Sequence, residues 1–500
     1  MNKPFAILRA WNFCRCSIWP FLIVTAAISC SWRVATAQPF TVQGPGVNSN
    51  DFRVTTFATG LSFPIGMVQL SDGSVLVAIN EGSSYLNSVG KIIRLTDTNQ
   101  NGVADGPPSV LYSGLPPGVT ALRAAGNLFI ATGDTTPISI LRRGNLPSDP
   151  LLLVGQVIIN YPGPGRRQHS ATALGVRKTL GYTNRFDIFF QLGAEYNFGK
   201  STNSLSFTNS NIPGASGVLV ADAAHMLTLI DNGTNVTATN CVQIASGLRN
   251  AAGFTFNPAT GDLYLQDNGI DGLVDANEPL SADEVNFIAR TNIGSAVQFF
   301  GYPTNYTAYR TGTKVGGAGI QPRIAFQPLP NPTNGRESEG PFDMTFAPPG
   351  FPNGLNTGIF MGFHGKYTSA GTANEENPVV YADPVSSNYF HFILGQQAGI
   401  GHLDGLLATR DSLFVADMTT NGNIFSSTNA GVIYQIKSLV PPVPPSLGAR
   451  FVGTQIELSW DRGGLQEAAD ASGPWSDVSD GFSPYAVEPN APQKFYRARF

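Results

Sequence analysis

A six-bladed β-propeller followed by a small C-terminal β-sandwich-like module is the all-β fold this sequence predicts, on three observations. The first is composition: 55 glycines and 36 prolines in 500 residues, without a G-X-Y period. That excludes collagen and argues against a helical bundle, because both residues are costly inside helices. The second is charge, with 30 Lys and Arg against 34 Asp and Glu and only 13% charged residues. So few charges argue against a disordered chain or a nucleic-acid-binding one. The third is a recurring phrase, a Gly or Asp turn followed by a short apolar run. It reads Asp72-Gly73-Ser74-Val75-Leu76-Val77-Ala78, Gly126-Asn127-Leu128-Phe129-Ile130-Ala131 and Phe186-Asp187-Ile188-Phe189-Phe190. It returns as Gly261-Asp262-Leu263-Tyr264-Leu265, Gly358-Ile359-Phe360-Met361-Gly362 and Asp411-Ser412-Leu413-Phe414-Val415-Ala416.

The elements follow in chain order. Lys3, Arg9 and Arg15 precede an apolar run from Ile18 to Ile28, and Ala35-Thr36-Ala37 has the A-x-A form of a cleavage site. This predicts a secretory signal peptide over 1–37, cleaved near Ala37, with an apolar run too short to span a bilayer well. Lipoprotein attachment at Cys30 stays open, although Ala27-Ile28-Ser29 is a poor lipobox. The mature chain is therefore expected to be exported, periplasmic or secreted, with no transmembrane span. Losing Lys3, Arg9, Arg15 and Arg33 and no acid takes the net charge from −4 to −8. Cys14, Cys16 and Cys30 leave too, so Cys241 remains alone and no internal disulfide is expected. No C-x-x-C-H stretch is present for covalent haem, so redox chemistry would need a bound cofactor and an external electron acceptor.

The six phrases fall between residues 51 and 438, and several lead into a second apolar run such as Gly90-Lys91-Ile92-Ile93-Arg94-Leu95 or Gly431-Val432-Ile433-Tyr434-Gln435-Ile436. Short strands at this period, with turns between them, read as propeller blades; an array of β-sandwiches is the alternative. Radial closure also protects sheet edges in a chain with few charged residues. Pro441-Pro442-Val443-Pro444-Pro445 marks a stiff linker over 439–446. Beyond it, 447–500 contains the alternating Gln455-Ile456-Glu457-Leu458-Ser459-Trp460 and the closing Lys494–Phe500 run, expected to form a small β module of fibronectin-III-like character. It carries Trp460 and Trp475, the only tryptophans of the mature chain, and no catalytic constellation.

Within 51–438, Gly247-Leu248-Arg249-Asn250-Ala251-Ala252-Gly253-Phe254 runs into Asn257-Pro258-Ala259-Thr260-Gly261-Asp262-Leu263-Tyr264. Asp267-Asn268-Gly269, Asp283-Glu284-Val285-Asn286-Phe287-Ile288 and Phe300-Gly301-Tyr302-Pro303 follow, and the last blade runs from Asp404 to Ile436. In these stretches the chain resembles the glucose/sorbosone dehydrogenase family, which includes soluble sugar dehydrogenases using pyrroloquinoline quinone (PQQ). The resemblance covers most of 51–438, and the ordered R-N and D-E-x-N pair carries it.

The resemblance implies an exported PQQ-dependent oxidoreductase. It would oxidise a sugar or polyol by hydride transfer to the quinone, with histidine as general base and Ca²⁺ as second cofactor. His169, in Arg166-Arg167-Gln168-His169-Ser170, stands where the family's base falls. Imidazole suits the task because its ordinary pKa lies near working pH. His364 and His402 are rivals in late-blade loops; His225 and His391 lie in strand-like runs and read as packed. Arg249 offers a bidentate fork and Asn250 an amide for the quinone, with Lys366 as a further cation. Glu284, with Asp267 as a weaker neighbour, is implied for Ca²⁺, which takes six to eight oxygen ligands. Asp283 and Glu284 are adjacent, so on a strand they face opposite ways and one of them is structural.

A calcium signal also stands without the resemblance. Asp97, Asn99, Asn101 and Asp105 occupy positions 1, 3, 5 and 9 of an EF-hand-like loop with Gly102 at 6. Pro108 replaces the glutamate at position 12, and an Asn/Asp/Gly turn is the alternative. The chain departs from the family at Gly401-His402-Leu403-Asp404, where related dehydrogenases place an arginine before proline, and it lacks a propeller tryptophan for stacking. A non-catalytic carbohydrate- or protein-binding propeller and a Ca²⁺-dependent lactonase or hydrolase therefore remain as alternative functions, since the fold alone does not choose. Nucleic acid is not an expected partner.

Overall fold

The computed structural model describes residues 38–500 except 135–136, 162–168, 170–172, 203, 209, 276–277 and 490–492. The signal-peptide expectation for 1–37 lies outside the described residues. Those from Gln38 onward form one compact unit. Its strands are joined by loops and, among the described residues, by 3₁₀ turns rather than α-helices. No helix among them is long and apolar enough to cross a membrane.

Six antiparallel sheets, each with a four-stranded core, follow one another along the chain. Blade 1 is Met67–Gln69, Val75–Gly82, Ser88–Leu95 and Ser109–Leu115, and blade 2 is Val119–Ala125, Leu128–Gly133, Pro137–Arg142 and Leu152–Asn160. Blade 3 is Leu174–Lys178, Arg185–Leu192, Ala223–Asp231 and Asn240–Ser246; blade 4 is Ala251–Phe256, Leu263–Asp267, Glu284–Ile288 and Ile324–Ala325. Blade 5 is Pro341–Phe346, Ile359–Phe363, Val379–Ala382 and Tyr389–Ile393. Blade 6 takes Gly405–Ala408, Ser412–Asp417 and Gly431–Ser438 from the end of the propeller and its outer strand, Phe52–Leu61, from the beginning. The innermost strands touch in sequence order, and Gly405–Ala408 returns to Met67–Gln69, so the ring closes.

Apolar clusters between neighbouring blades hold the ring. Leu76 and Ile92 of blade 1 pack with Leu122 and Phe129 of blade 2, and Phe189 of blade 3 packs with Phe254 and Leu263 of blade 4. Phe360 and Phe392 of blade 5 pack with Leu413 and Ile436 of blade 6, which in turn meets blade 1 through Phe414, Ile433 and Val77. Each second strand is covered on both faces, which explains why the repeated phrase is a continuous apolar run rather than an alternating one. Leu128–Gly133 and Ser412–Asp417 are buried at every residue. Inside the ring, Arg123 of blade 2 reaches Asp343 of blade 5 at 2.5 Å.

Residues 447–499 build two three-stranded sheets around Leu458, Trp460 and Leu465. This module sits on the turns joining first to second strands, where Ser483 N donates to Ala259 O at 2.8 Å and Gly181 N to Asp480 Oδ2 at 2.6 Å, and on the third-to-fourth connection of blade 4, where Arg290 covers Phe482 at 4.8 Å. In an antiparallel blade those turns and the second-to-third connections lie at opposite ends. The module therefore leaves the other end of the propeller open.

Candidate functional site

That open end, the loop face, carries the connections between blades and those joining second to third strands. His169, Arg249, Asn250, Asp267, Glu284, His364, Lys366 and His402 all belong to these connections or to strand ends that feed them. Topology thus gathers on one face most of the residues singled out from the sequence. Gly247 starts the blade 3 to blade 4 connection at φ 69°, and a Cβ there would lie 2.6 Å from Gly301 N, so only glycine permits the approach.

Asp267 ends the second strand of blade 4 directly opposite Glu284 in register. Its carboxylate accepts Arg249 N at 3.0 Å and Asn250 N at 2.6 Å, which fixes the R-N turn. The Arg249 guanidinium is 3% exposed and held by Asp271 at 2.7 Å and by Asn197 Oδ1 at 2.8 Å. Asn197 belongs to the long insertion between the second and third strands of blade 3, which Tyr302 anchors by donating to Tyr196 O at 2.7 Å. Arg249, Asp267, Asn268, Glu284, Phe300, Tyr302 and Tyr306 line a cleft of ≈ 310 Å³, counting its open mouth. The adjacent acids divide as expected: Asp283 accepts Gly269 N at 2.6 Å and Gly340 N at 3.0 Å as a structural clasp, whereas Glu284 faces the cleft.

Burial raises these acids. It pushes Asp267 up to about 6 against its two N–H bonds, and Glu284 up to about 8, with Asp267 adding repulsion. Two carboxylates facing each other in a partly dry cleft are a poor anion site and a fitting place for a divalent cation. His169 lies on the blade 2 to blade 3 connection against Gly193. Burial, and then the Arg249 charge, hold its pKa down to about 3, so the ring is neutral. Its Nε2 and the Oδ1 of Asn250 are buried without a partner among the described residues.

The remaining candidates fall elsewhere. Lys366 Nζ pairs with Glu376 at 3.1 Å and Glu375 at 3.3 Å rather than standing free. Glu376 also joins Glu337 and Glu339, a compact acidic group compensated by Arg310 and Lys366. The Asp97, Asn99, Asn101 and Asp105 loop joins third to fourth strand in blade 1, at the end away from the cleft. Its oxygens accept from the loop itself: Asp97 from Asn101 N and Gly102 N, Asn99 from Asn101 N, Asn101 from Val103 N and Asp105 from Thr98 N. The two metal candidates are thus not one site. His225 and His391 are buried in strands, the first stacked on Phe190 and the second bonded to Ser338. Sequence reasoning missed Asn197 and Asp271 as the frame around Arg249, and no local pattern marks them; Tyr302 lies in the Phe300-Gly301-Tyr302-Pro303 stretch but was given no role.

No family model matches the chain. An uncharacterized protein of Borreliella burgdorferi is 40% identical over 60 residues, which is 12% of this chain and only 14% of that protein's length. Among solved structures, the Trichoderma reesei carbohydrate-active enzyme of family AA12 is 16% identical, covering 80% of this chain and 98% of its own, with a TM-score of 0.50. The PQQ domain of a pyranose dehydrogenase from Coprinopsis cinerea is 17% identical over 80% of this chain and 98% of its own, with a TM-score of 0.48. The chain has the six-bladed propeller fold of the AA12 enzyme. The sequence resemblance therefore holds at the level of fold.

Proposed function

We propose that this protein is an exported quinone-dependent oxidoreductase that oxidises a CH–OH group of a sugar or polyol and passes the electrons to an external acceptor. The observation that carries the reading is the pair of buried polar atoms without partners among the described residues, His169 Nε2 and Asn250 Oδ1, on the same loop face as Arg249. The imidazole is neutral, the form that takes up a hydroxyl proton, but at about 3 it is a weaker base than the near-neutral value expected from the sequence, so a bound cation or ligand would have to raise it; Asn250 Oδ1 awaits a donor. Arg249 and Asn250 would hold pyrroloquinoline quinone, which supplies a hydride acceptor when bound. Lys366, paired with Glu375 and Glu376, is left out of the quinone site. Asp267 and Glu284 face the same cleft, so the residues fit a polyanionic quinone only with Ca²⁺ between acids and ligand. The apolar run before Ala35-Thr36-Ala37 supports export.

The test is a titration of quinone into the protein with and without Ca²⁺, then dye reduction across aldoses and polyols. Binding should require Ca²⁺ and be lost on chelation. His169→Gln should lower turnover by about 10²- to 10⁴-fold while leaving quinone affinity nearly unchanged. Arg249→Ala should weaken the quinone instead. Folded, Ca²⁺-loaded protein that binds no quinone would end the dehydrogenase reading.

A further inference from the structure

A second imidazole on the loop face is built differently from His169. His364 follows the second strand of blade 5, and Asp404 ends the connection from blade 5 to blade 6. His364 Nδ1 lies 2.8 Å from Asp404 Oδ2, and the two residues are 5% and 0% exposed. An ionised carboxylate only accepts, so Nδ1 carries the hydrogen and Nε2 is left as the acceptor. That Nε2 is buried and has no partner among the described residues, and neither has Asp404 Oδ1. The ring is also held in place. It stacks on His402 at 4.0 Å and 5°, and Tyr367 lies 4.8 Å away. His402 lies between two carbonyls, His364 O 2.8 Å from Nδ1 and Gly422 O 2.7 Å from Nε2, and as a neutral ring donates to one of them. An imidazole oriented by a carboxylate with its other nitrogen free is the arrangement of a proton acceptor.

We propose that His364, oriented by Asp404, is a second proton-accepting site, which takes the proton released when the reduced enzyme passes its electrons to the external acceptor. The proposal rests on the dehydrogenase reading, whose reaction releases a second proton for such a site to take up. Converting CH–OH to C=O gives up two electrons and two protons. The first proton leaves the substrate hydroxyl for Nε2 of His169. The second leaves the substrate carbon as hydride and is freed only when the two electrons go on to the acceptor. At that point an N–H bond forms at Nε2 of His364, and the Asp404 carboxylate offsets the new positive charge until the proton passes to solvent. The charged and titratable groups around the pair are His402 and Asp417 on blade 6, Tyr367 on the same connection, Tyr85 from blade 1 and Asp134 from blade 2.

The experiment separates the two halves of turnover by stopped flow in protein loaded with Ca²⁺ and quinone. His364→Gly should slow reoxidation by dye about 100-fold or more and leave the substrate half-reaction and quinone affinity within a few-fold. Added imidazole should restore part of the lost rate, which a purely structural role would not allow. Asp404→Asn, an isosteric change, should slow the same step less. Reoxidation at the wild-type rate in His364→Gly, or a loss that imidazole leaves untouched, overturns the proposal. Nitrogen-15 NMR of histidine-labelled protein gives a readout that needs no activity. A bare Nε2 on His364 is expected, and a protonated Nε2 beside a bare Nδ1 overturns the assignment. If quinone does not bind, the dehydrogenase reading falls while the NMR result still decides whether the proton-accepting site exists.

Discussion

Glu284 is a residue of the cleft whose environment carries it far from what its letter in the sequence conveys. Burial and the facing Asp267 push its carboxyl up to about 8. A raised folded-state pKa means the native protein holds a proton the unfolded chain has lost. Its contribution is full below the ordinary carboxylate value and disappears as pH rises towards about 8. Without metal, stability should therefore fall through that window by up to ~1.4 kcal/mol per pH unit for each such group. Asp267 at about 6 and Asp283 at about 7 contribute over narrower ranges. Calcium bound to the ionised pair would reverse the trend, so it should raise the melting temperature more at pH 8 than at pH 5. Glu284→Gln should flatten the pH dependence and remove most of the calcium response; melting curves at several pH values check both. Arg249, Asn250, Asp267 and Glu284 were legible as a group because the R-N and D-E-x-N spellings are local. Asp271 and Asn197 were not, because Asp271 sits in a loop of blade 4 and Asn197 in an insertion of blade 3, and both meet Arg249 only in the folded ring.

At the scale of elements, all six repeated phrases turn out to contain or lead into second strands: Val75–Gly82, Leu128–Gly133, Arg185–Leu192, Leu263–Asp267, Ile359–Phe363 and Ser412–Asp417. They are readable because a strand covered on both faces must be apolar throughout, and the turn before it needs Gly or Asp. Outer strands such as Ile324–Ala325 are short and give no such signal. Phe360 shows what a second strand contributes: it is fully buried and meets Phe351, Tyr381 and Phe392 edge to face. Phe360→Ala should cost about 3–5 kcal/mol, read as a lowered urea midpoint. The Asp97–Asp105 loop shows the reverse case, in which an oxygen-rich spelling places its side chains on its own backbone and stands at the end away from the cleft.

Across the whole molecule, closure is decided by one early strand. Phe52–Leu61 pairs with Gly431–Ser438, Val54 facing Ile436 and Thr56 facing Tyr434, so the two ends of the propeller share blade 6. Val54 is 3% exposed, and Val54→Asp would bury an unpaired charge at this seam. It should destabilise the entire ring by more than about 3 kcal/mol, with blades 1 and 6 losing amide-exchange protection together. Independent loss of blade 6 alone would show that the seam does not control closure. Composition, the repeated phrase and the proline-rich stretch were enough to predict a propeller with a small β module behind it, because sheet periodicity and turn chemistry are local properties. Which strand closes the ring, which end the module covers, and which acids face one another were decided only by tertiary structure. Those facts depend on contacts between residues far apart in sequence, such as His364 with Asp404 and Phe52 with Ser438, and no spacing along the chain encodes them.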